Sequence, residues 1–156
     1  MRNPVKIQAI IEELEIQFDE SRTFFNVKTG EIISVTLGDL RAAEDEEEFG
    51  HLPEWEQENR KVANDVIDNF DNYKELPTKY EVNEYEIIED FCFTVSDERK
   101  QDILLNSIKG KGAFRRFKDK IIDFEVEDQW YSYRDKRYKQ IAIKWCLDNN
   151  INFIDN

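Results

Sequence analysis

Apolar residues recur at helical spacing along most of this chain. Ile7, Ile10, Ile11, Leu14 and Phe18 fall on one face, opposite Lys6, Gln8, Glu12, Glu13 and Gln17, which predicts a helix to about residue 18. Asn3-Pro4 reads as its cap and first turn. The period then changes. Thr23 to Val27 and Ile32 to Thr36 flank Lys28-Thr29-Gly30-Glu31 and read as two strands joined by a turn. A lone hairpin is marginal in water, so it calls for a covering helix or a third strand, for which Thr78 to Val82 is the candidate.

Elsewhere helical spacing dominates. Gly38-Asp39 introduces a short helix over Leu40 to Glu48. Trp55, Asn59, Val62, Ala63, Val66, Ile67 and Phe70 mark a long one from Leu52-Pro53 to near Tyr73. Asn83 caps the next, with Tyr85, Ile88, Cys92 and Val95 on one face; Ser96 caps another that ends at Lys109-Gly110. Phe114, Phe117, Ile121 and Phe124 define an amphipathic helix over Ala113 to Phe124. Tyr138, Ile141, Ala142 and Trp145 carry the last, from about Asp135 to Asn149. The expectation is a single domain, residues 1–156, of α+β class and predominantly α-helical. It holds five to six helices with one N-terminal β-hairpin.

Composition narrows the chemistry. Hydrophobic residues make up 40% and aromatics 13%, enough for a core despite 37% charged residues. No apolar run approaches the ~20 residues of a membrane span. The N-terminus is charged and amphipathic and does not resemble a signal peptide, so a cytoplasmic location is expected. Cys92 and Cys146 sit in apolar helical patterns without a CxxC and read as reduced core thiols. The lone His51 cannot complete a His/Cys zinc set, and Glu44 to Glu48 lacks the alternating ligands and Gly turn of a calcium loop. Neither metal nor cofactor is expected, and no catalytic residue is assigned.

Net charge is −13, yet Lys109 to Lys120 holds six Lys/Arg against one Asp. Gly110 and Gly112 precede a helix, where backbone N–H groups converge on an anion. Lys111, Arg115 and Arg116 supply charge and bidentate bonds. The spacing fits neither GxxxxGK[ST] nor the dinucleotide fingerprint. Trp130 and Tyr131 follow as candidates for stacking on bases. The same residues also read as a tight helix–helix turn, a basic face paired to acids elsewhere, and ordinary aromatic core. The expected function is that of a small interaction or regulatory protein contacting an anionic partner through residues 109–120. That partner is an acidic protein surface, RNA or a phosphate group. The alternative is an enzyme acting on a phosphate-bearing substrate, with Glu89 or Asp90 as base. Adjacent carboxylates on a helix diverge by about 100°, so these two equally read as solvated acids.

Several segments resemble an uncharacterised bacterial protein family, number one-five-eight of the UPF series. They are Leu76-Pro77-Thr78-Lys79-Tyr80-Glu81, Tyr85 to Phe91, Gly110 to Asp119 (GKGAFRRFKD), Trp130-Tyr131, Ile141 to Trp145, and Phe24 to Ile33 with its Thr29-Gly30-Glu31 turn. The resemblance covers most of the chain. It implies a small soluble bacterial protein and carries no activity and no catalytic residues with it.

Overall fold

The first helix starts where the chain stops being a strand. Val5–Lys6 (β1) pairs in parallel with Phe153–Ile154 (β5), and α1 then runs Ile7–Glu15 with Lys6 in extended conformation before it. The structure is a computed structural model and describes residues 4–155. Asn3 therefore lies outside the described residues, and the helix begins at Ile7 and not at Pro4. Phe18 falls beyond its end and is exposed.

The remaining elements are β2 (Ser21–Asn26), β3 (Ile32–Thr36), α2 (Leu37–Glu44), α3 (Glu54–Asp68), a 3-10 turn (Phe70–Asn72), β4 (Tyr73–Glu75), α4 (Lys79–Val82), α5 (Glu84–Thr94), α6 (Glu98–Ser107), α7 (Ala113–Asp123) and α8 (Glu127–Asp148). Among the described residues seven helices have eight or more residues and α4 is a single turn, against the five to six expected. Strong caps separate what periodicity tends to merge. Asn83 accepts from Glu86 N to open α5, and Asp97, not Ser96, accepts from Arg99 N and Lys100 N to open α6. α8 begins at Glu127, well before Asp135, so Trp130 and Tyr131 are helical.

The chain gathers into two compact units: unit 1, Met1–Glu81 with Ala142–Asn156, and unit 2, Val82–Ile141. In unit 1 the expected strand pair exists, but not as a lone N-terminal hairpin. β2 and β3 are antiparallel neighbours in a three-stranded sheet of order β3-β2-β4, with Phe24 opposite Ile33 and Glu75. The third strand is Tyr73–Glu75 and not Thr78 to Val82. Thr78 Oγ1 accepts from Glu81 N at 3.2 Å while Glu81 Oε1 accepts from Thr78 N at 3.0 Å, a reciprocal box that starts a helical turn. Successive strand residues face opposite sides. Phe24 packs with Val35, Tyr73, Leu40, Ala43, Ala63 and Val66, while Phe25 meets Trp145 edge-on at 6.1 Å on the other face. Both faces of the sheet are therefore covered. α3 stops at Asp68, which leaves Phe70 exposed, and Trp55 at the other end of its stripe is exposed too.

Two polar contacts made by buried side chains, those of Arg60 and Tyr73, tie unit 1 together. Arg60, 3% exposed, donates to Glu47 O at 2.7 Å and Ala42 O at 3.4 Å, neutralising the C-terminal end of α2. The Tyr73 hydroxyl donates to Asp65, which also accepts from Asn69 Nδ2 at 2.7 Å. Burial, reinforced by the bond to Asp65, pushes the Tyr73 phenol up to about 12 from 10.0. The neutral phenol is thus favoured in the folded state. Its contribution is fully present below pH ~10 and is lost as pH rises toward ~12. In an absorbance titration one of the six tyrosines is expected to ionise last, and Tyr73→Phe to remove that step. A titration in which Tyr73→Phe deletes an ordinary step near pH ~10 would contradict the assignment.

Unit 2 is helical, built from α5, α6, α7 and the first part of α8. Its centre is aromatic: Phe91 meets Phe117 at 6.1 Å and Trp130 at 5.4 Å, and Phe117 meets Trp130 at 5.0 Å. Cys92 in unit 2 and Cys146 in unit 1 are free and fully buried, and burial pushes both thiols up to about 11. They are packing groups and poor nucleophiles at neutral pH. No helix among the described residues is long and apolar enough to cross a membrane.

Candidate functional site

The basic segment begins as a turn. Gly110 and Gly112 adopt φ of 78° and 76°, the left-handed region that side chains disfavour. At Gly112 a Cβ would also lie 3.0 Å from Arg116 Nη1. Both glycines therefore serve the α6–α7 turn.

Arg116 is held inside that turn. Its Nε donates to Ser107 O at 2.8 Å, its Nη2 to Lys109 O at 2.6 Å and its Nη1 to Lys111 O. The Ser107 carbonyl is left over where α6 ends and the other two belong to the turn that follows, and a cation there also meets the negative end of the helix. The guanidinium staples the connection; it is not presented to a ligand. Lys111 and Arg115 are exposed, and so is Lys118 one turn further along α7. Among the described residues no carboxylate pairs with these three.

The two stacking candidates separate. Trp130 is 2% exposed and lies in the aromatic centre of unit 2, so it is core. Tyr131 is 45% exposed. Consecutive helical residues point about 100° apart, and only one of the two can face the core.

Tyr131 borders a groove of about 340 Å³ in unit 2. Phe114 and Lys118 of α7, Tyr131 and Arg134 of α8, and Glu84 and Ile88 of α5 line it, over buried Phe117 and Trp130. Phe114 is 51% exposed, because it sits in the first turn of α7 while Phe117 and Ile121 carry the buried stripe. Arg134 Nε donates to Glu84 Oε1 at 3.0 Å, and its guanidinium stacks 4.3 Å from the Tyr138 ring. That pair is internally matched, which leaves Lys118 as the groove's unmatched charge. Neither Glu89 nor Asp90, the two acids suggested as a base, lines the groove; Asp90 accepts from Arg137 Nη1 at 2.8 Å, and the carboxylate on the groove is that of Glu84. Glu84 and Arg134 escaped the sequence reading, and Lys118 entered it only as one cation of the segment 109–120. Lys118 was legible as a cation off the apolar stripe. The Glu84–Arg134 pair joins positions fifty apart and leaves no periodic signal.

Residues 2–156 match the Uncharacterised protein family (UPF0158). The chain belongs to this family. The likeness seen in its sequence segments thus holds at family level, over nearly the whole length. A UPF0158 protein of Pseudomonas aeruginosa is 27% identical over 66 residues, a match spanning 42% of this chain and 43% of that relative. The chain thus covers less than half of the curated UPF0158 relative it matches. No solved structure matches it. The family's description names no activity, so membership assigns no role to Lys111, Arg115, Lys118 or any groove residue.

Proposed function

We propose that the protein is an interaction module that docks an acidic protein segment on α7 and the neighbouring groove. The observation that carries this reading is the exposure of Phe114 and Tyr131 beside the unmatched Lys118, with Arg115 and Lys111 on the same helix entrance. Aromatic side chains held half-open by a rigid core are suited to take up an apolar side chain, and the flanking cations suit carboxylates around it. Arg116 supports this indirectly, by fixing the turn from which Lys111 and Arg115 project.

Charge distribution favours a protein over RNA. Unit 2 holds 12 Lys/Arg against 13 Asp/Glu, whereas unit 1 holds 10 against 22. A chain of net −13 repels a polyanion at long range, while a short acidic segment needs only the local patch.

The test uses a fluorescent synthetic peptide of Asp and Glu around one central Trp, read by anisotropy. Affinity is expected to fall as salt rises, and Arg115→Glu with Lys118→Glu to weaken it by at least ~10-fold. Phe114→Ala weakens it without changing the salt dependence. Tighter binding of oligouridylate than of the peptide, or unchanged binding by the charge-reversed variant, would overturn the proposal.

A further inference from the structure

The three-stranded sheet of unit 1 has one guarded edge and one open edge. At β4 the outward carbonyl of Glu75 accepts from Trp145 Nε1 at 2.8 Å. That strand is only three residues long, carries Lys74 and is soon followed by Pro77. Short length, charge, Pro and a covering side chain are how sheet edges avoid stray pairing. β3 has none of them. Ile32-Ile33-Ser34-Val35-Thr36 holds no charge, no Pro and no Gly, and it is the outer strand of the order β3-β2-β4. We propose that this edge pairs with the same edge of a second copy, joining the two sheets into one.

The register of β2 and β3 decides which backbone groups are free. Asn26 N donates to Glu31 O and Leu37 N to Glu20 O, both at 2.8 Å, which fixes the alternation between them. Ile33 and Val35, opposite Phe24 and Arg22, therefore turn their N–H and C=O groups to β2. Ile32, Ser34 and Thr36 turn theirs outward, and Ser34 and Thr36 are exposed. An antiparallel partner centred on Ser34 matches this set to itself. The two Ser34 residues exchange both bonds, and each Thr36 N–H meets the Ile32 carbonyl of the other copy. Side chains agree as well: Ile33 falls opposite the partner's Val35, and Ile32 opposite the partner's Thr36. Glu31 falls opposite the partner's Leu37, so no like charges are apposed. This match of the edge to itself is what a two-fold interface requires and selects a second copy as the occupant.

The side chains along the edge also have a place to go. Ile33 and Val35 share the sheet face that carries Phe24, and there a groove of about 310 Å³ lies between β3 and α3, lined by Ile33, Val35, Asp39, Asn59 and Val62 among others. Val62 and Asn59 are exposed, and exposed Trp55 continues their stripe one turn earlier on α3. The partner's Ile33 and Val35 extend the same face into this groove and cover Val62. Asp39, its one charged lining residue, sits in the first turn of α2, where the helix dipole favours a carboxylate. A five-residue strand pair and one groove make a small interface, so the dimer is expected to form on the order of 10–100 μM. Each copy carries −13, so salt screens their repulsion and strengthens association, the opposite of its effect on the acidic peptide.

The test is sedimentation equilibrium of the full chain from about 5 to 500 μM, at low and at high salt, with amide exchange followed in ¹H–¹⁵N spectra across the same range. A monomer–dimer equilibrium is expected, tighter at high salt. The Ser34 and Thr36 amides, free in the monomer, should exchange at least ~10-fold more slowly in the concentrated sample. Ser34→Lys sets two ammonium groups opposite each other across the two-fold axis, and Val62→Glu puts a carboxylate into the groove. Each is expected to weaken association at least ~10-fold, and the spectra report whether each variant is folded. A chain that stays monomeric throughout would overturn the proposal, because the edge would then be open to some other strand or to none. So would a dimer in which the Ser34 and Thr36 amides exchange as in the monomer, or unchanged association in both folded variants.

Discussion

Trp130→Ala is expected to destabilise unit 2 by about 3–5 kcal/mol, the range for truncating a fully buried large aromatic. The indole fills the angle between Phe91 and Phe117, and no small side chain can collapse into that space. The loss should appear as a lower midpoint in guanidinium unfolding followed by far-UV dichroism. Tyr131→Ala, one residue on, should stay within about 0.5 kcal/mol of wild type while reducing affinity for the acidic peptide. If Trp130→Ala instead folded normally and lost affinity for single-stranded RNA, the tryptophan would be a stacking platform and its place in the core would be wrong. Combining Trp130→Ala with Phe117→Ala should cost less than the two added, because each removes part of the same contact.

Arg116→Ala should cost about 2–3 kcal/mol, although its guanidinium lies on a surface turn. Three carbonyls, those of Ser107, Lys109 and Lys111, lose their donor together. The guanidinium's partial exposure keeps the figure below the sum of three charged hydrogen bonds. Arg116→Lys should recover only a minor part, since a single ammonium cannot span the three acceptors that the planar fork reaches. Arg115→Ala is the control and should fall within about 0.5 kcal/mol of wild type. Urea unfolding of the three variants decides the matter. Equal stability of Arg116→Ala and Arg115→Ala would return Arg116 to the surface as a free cation.

These two residues show where local reading ends. Trp130-Tyr131 and Arg115-Arg116 are adjacent, similar pairs, and composition treats the members of each alike. A helix separates neighbours by about 100°, so one of each pair turns inward and its neighbour stays out. Which one turns inward depends on where the helix starts and on what it meets. α8 starts at Glu127, which sets the direction of Trp130, and the end of α6 lies within reach of Arg116.

Much was nonetheless determined by sequence alone. Periodicity, caps and glycines specified a mainly helical α+β chain, buried thiols and a Gly-Lys-Gly turn, because those signals are local and repeat every few residues. Family membership, too, was legible from short segments. Tertiary structure decided the rest. The third strand is Tyr73–Glu75 because Thr78 and Glu81 close a box that a strand cannot hold. Both sheet faces are covered because Trp145, far along the chain, reaches Phe25. The groove beside Tyr131 unites α5, α7 and α8, and the one at the sheet edge joins β3 to α3. Contacts between distant segments obey no sequence period, and only the folded chain brings them together.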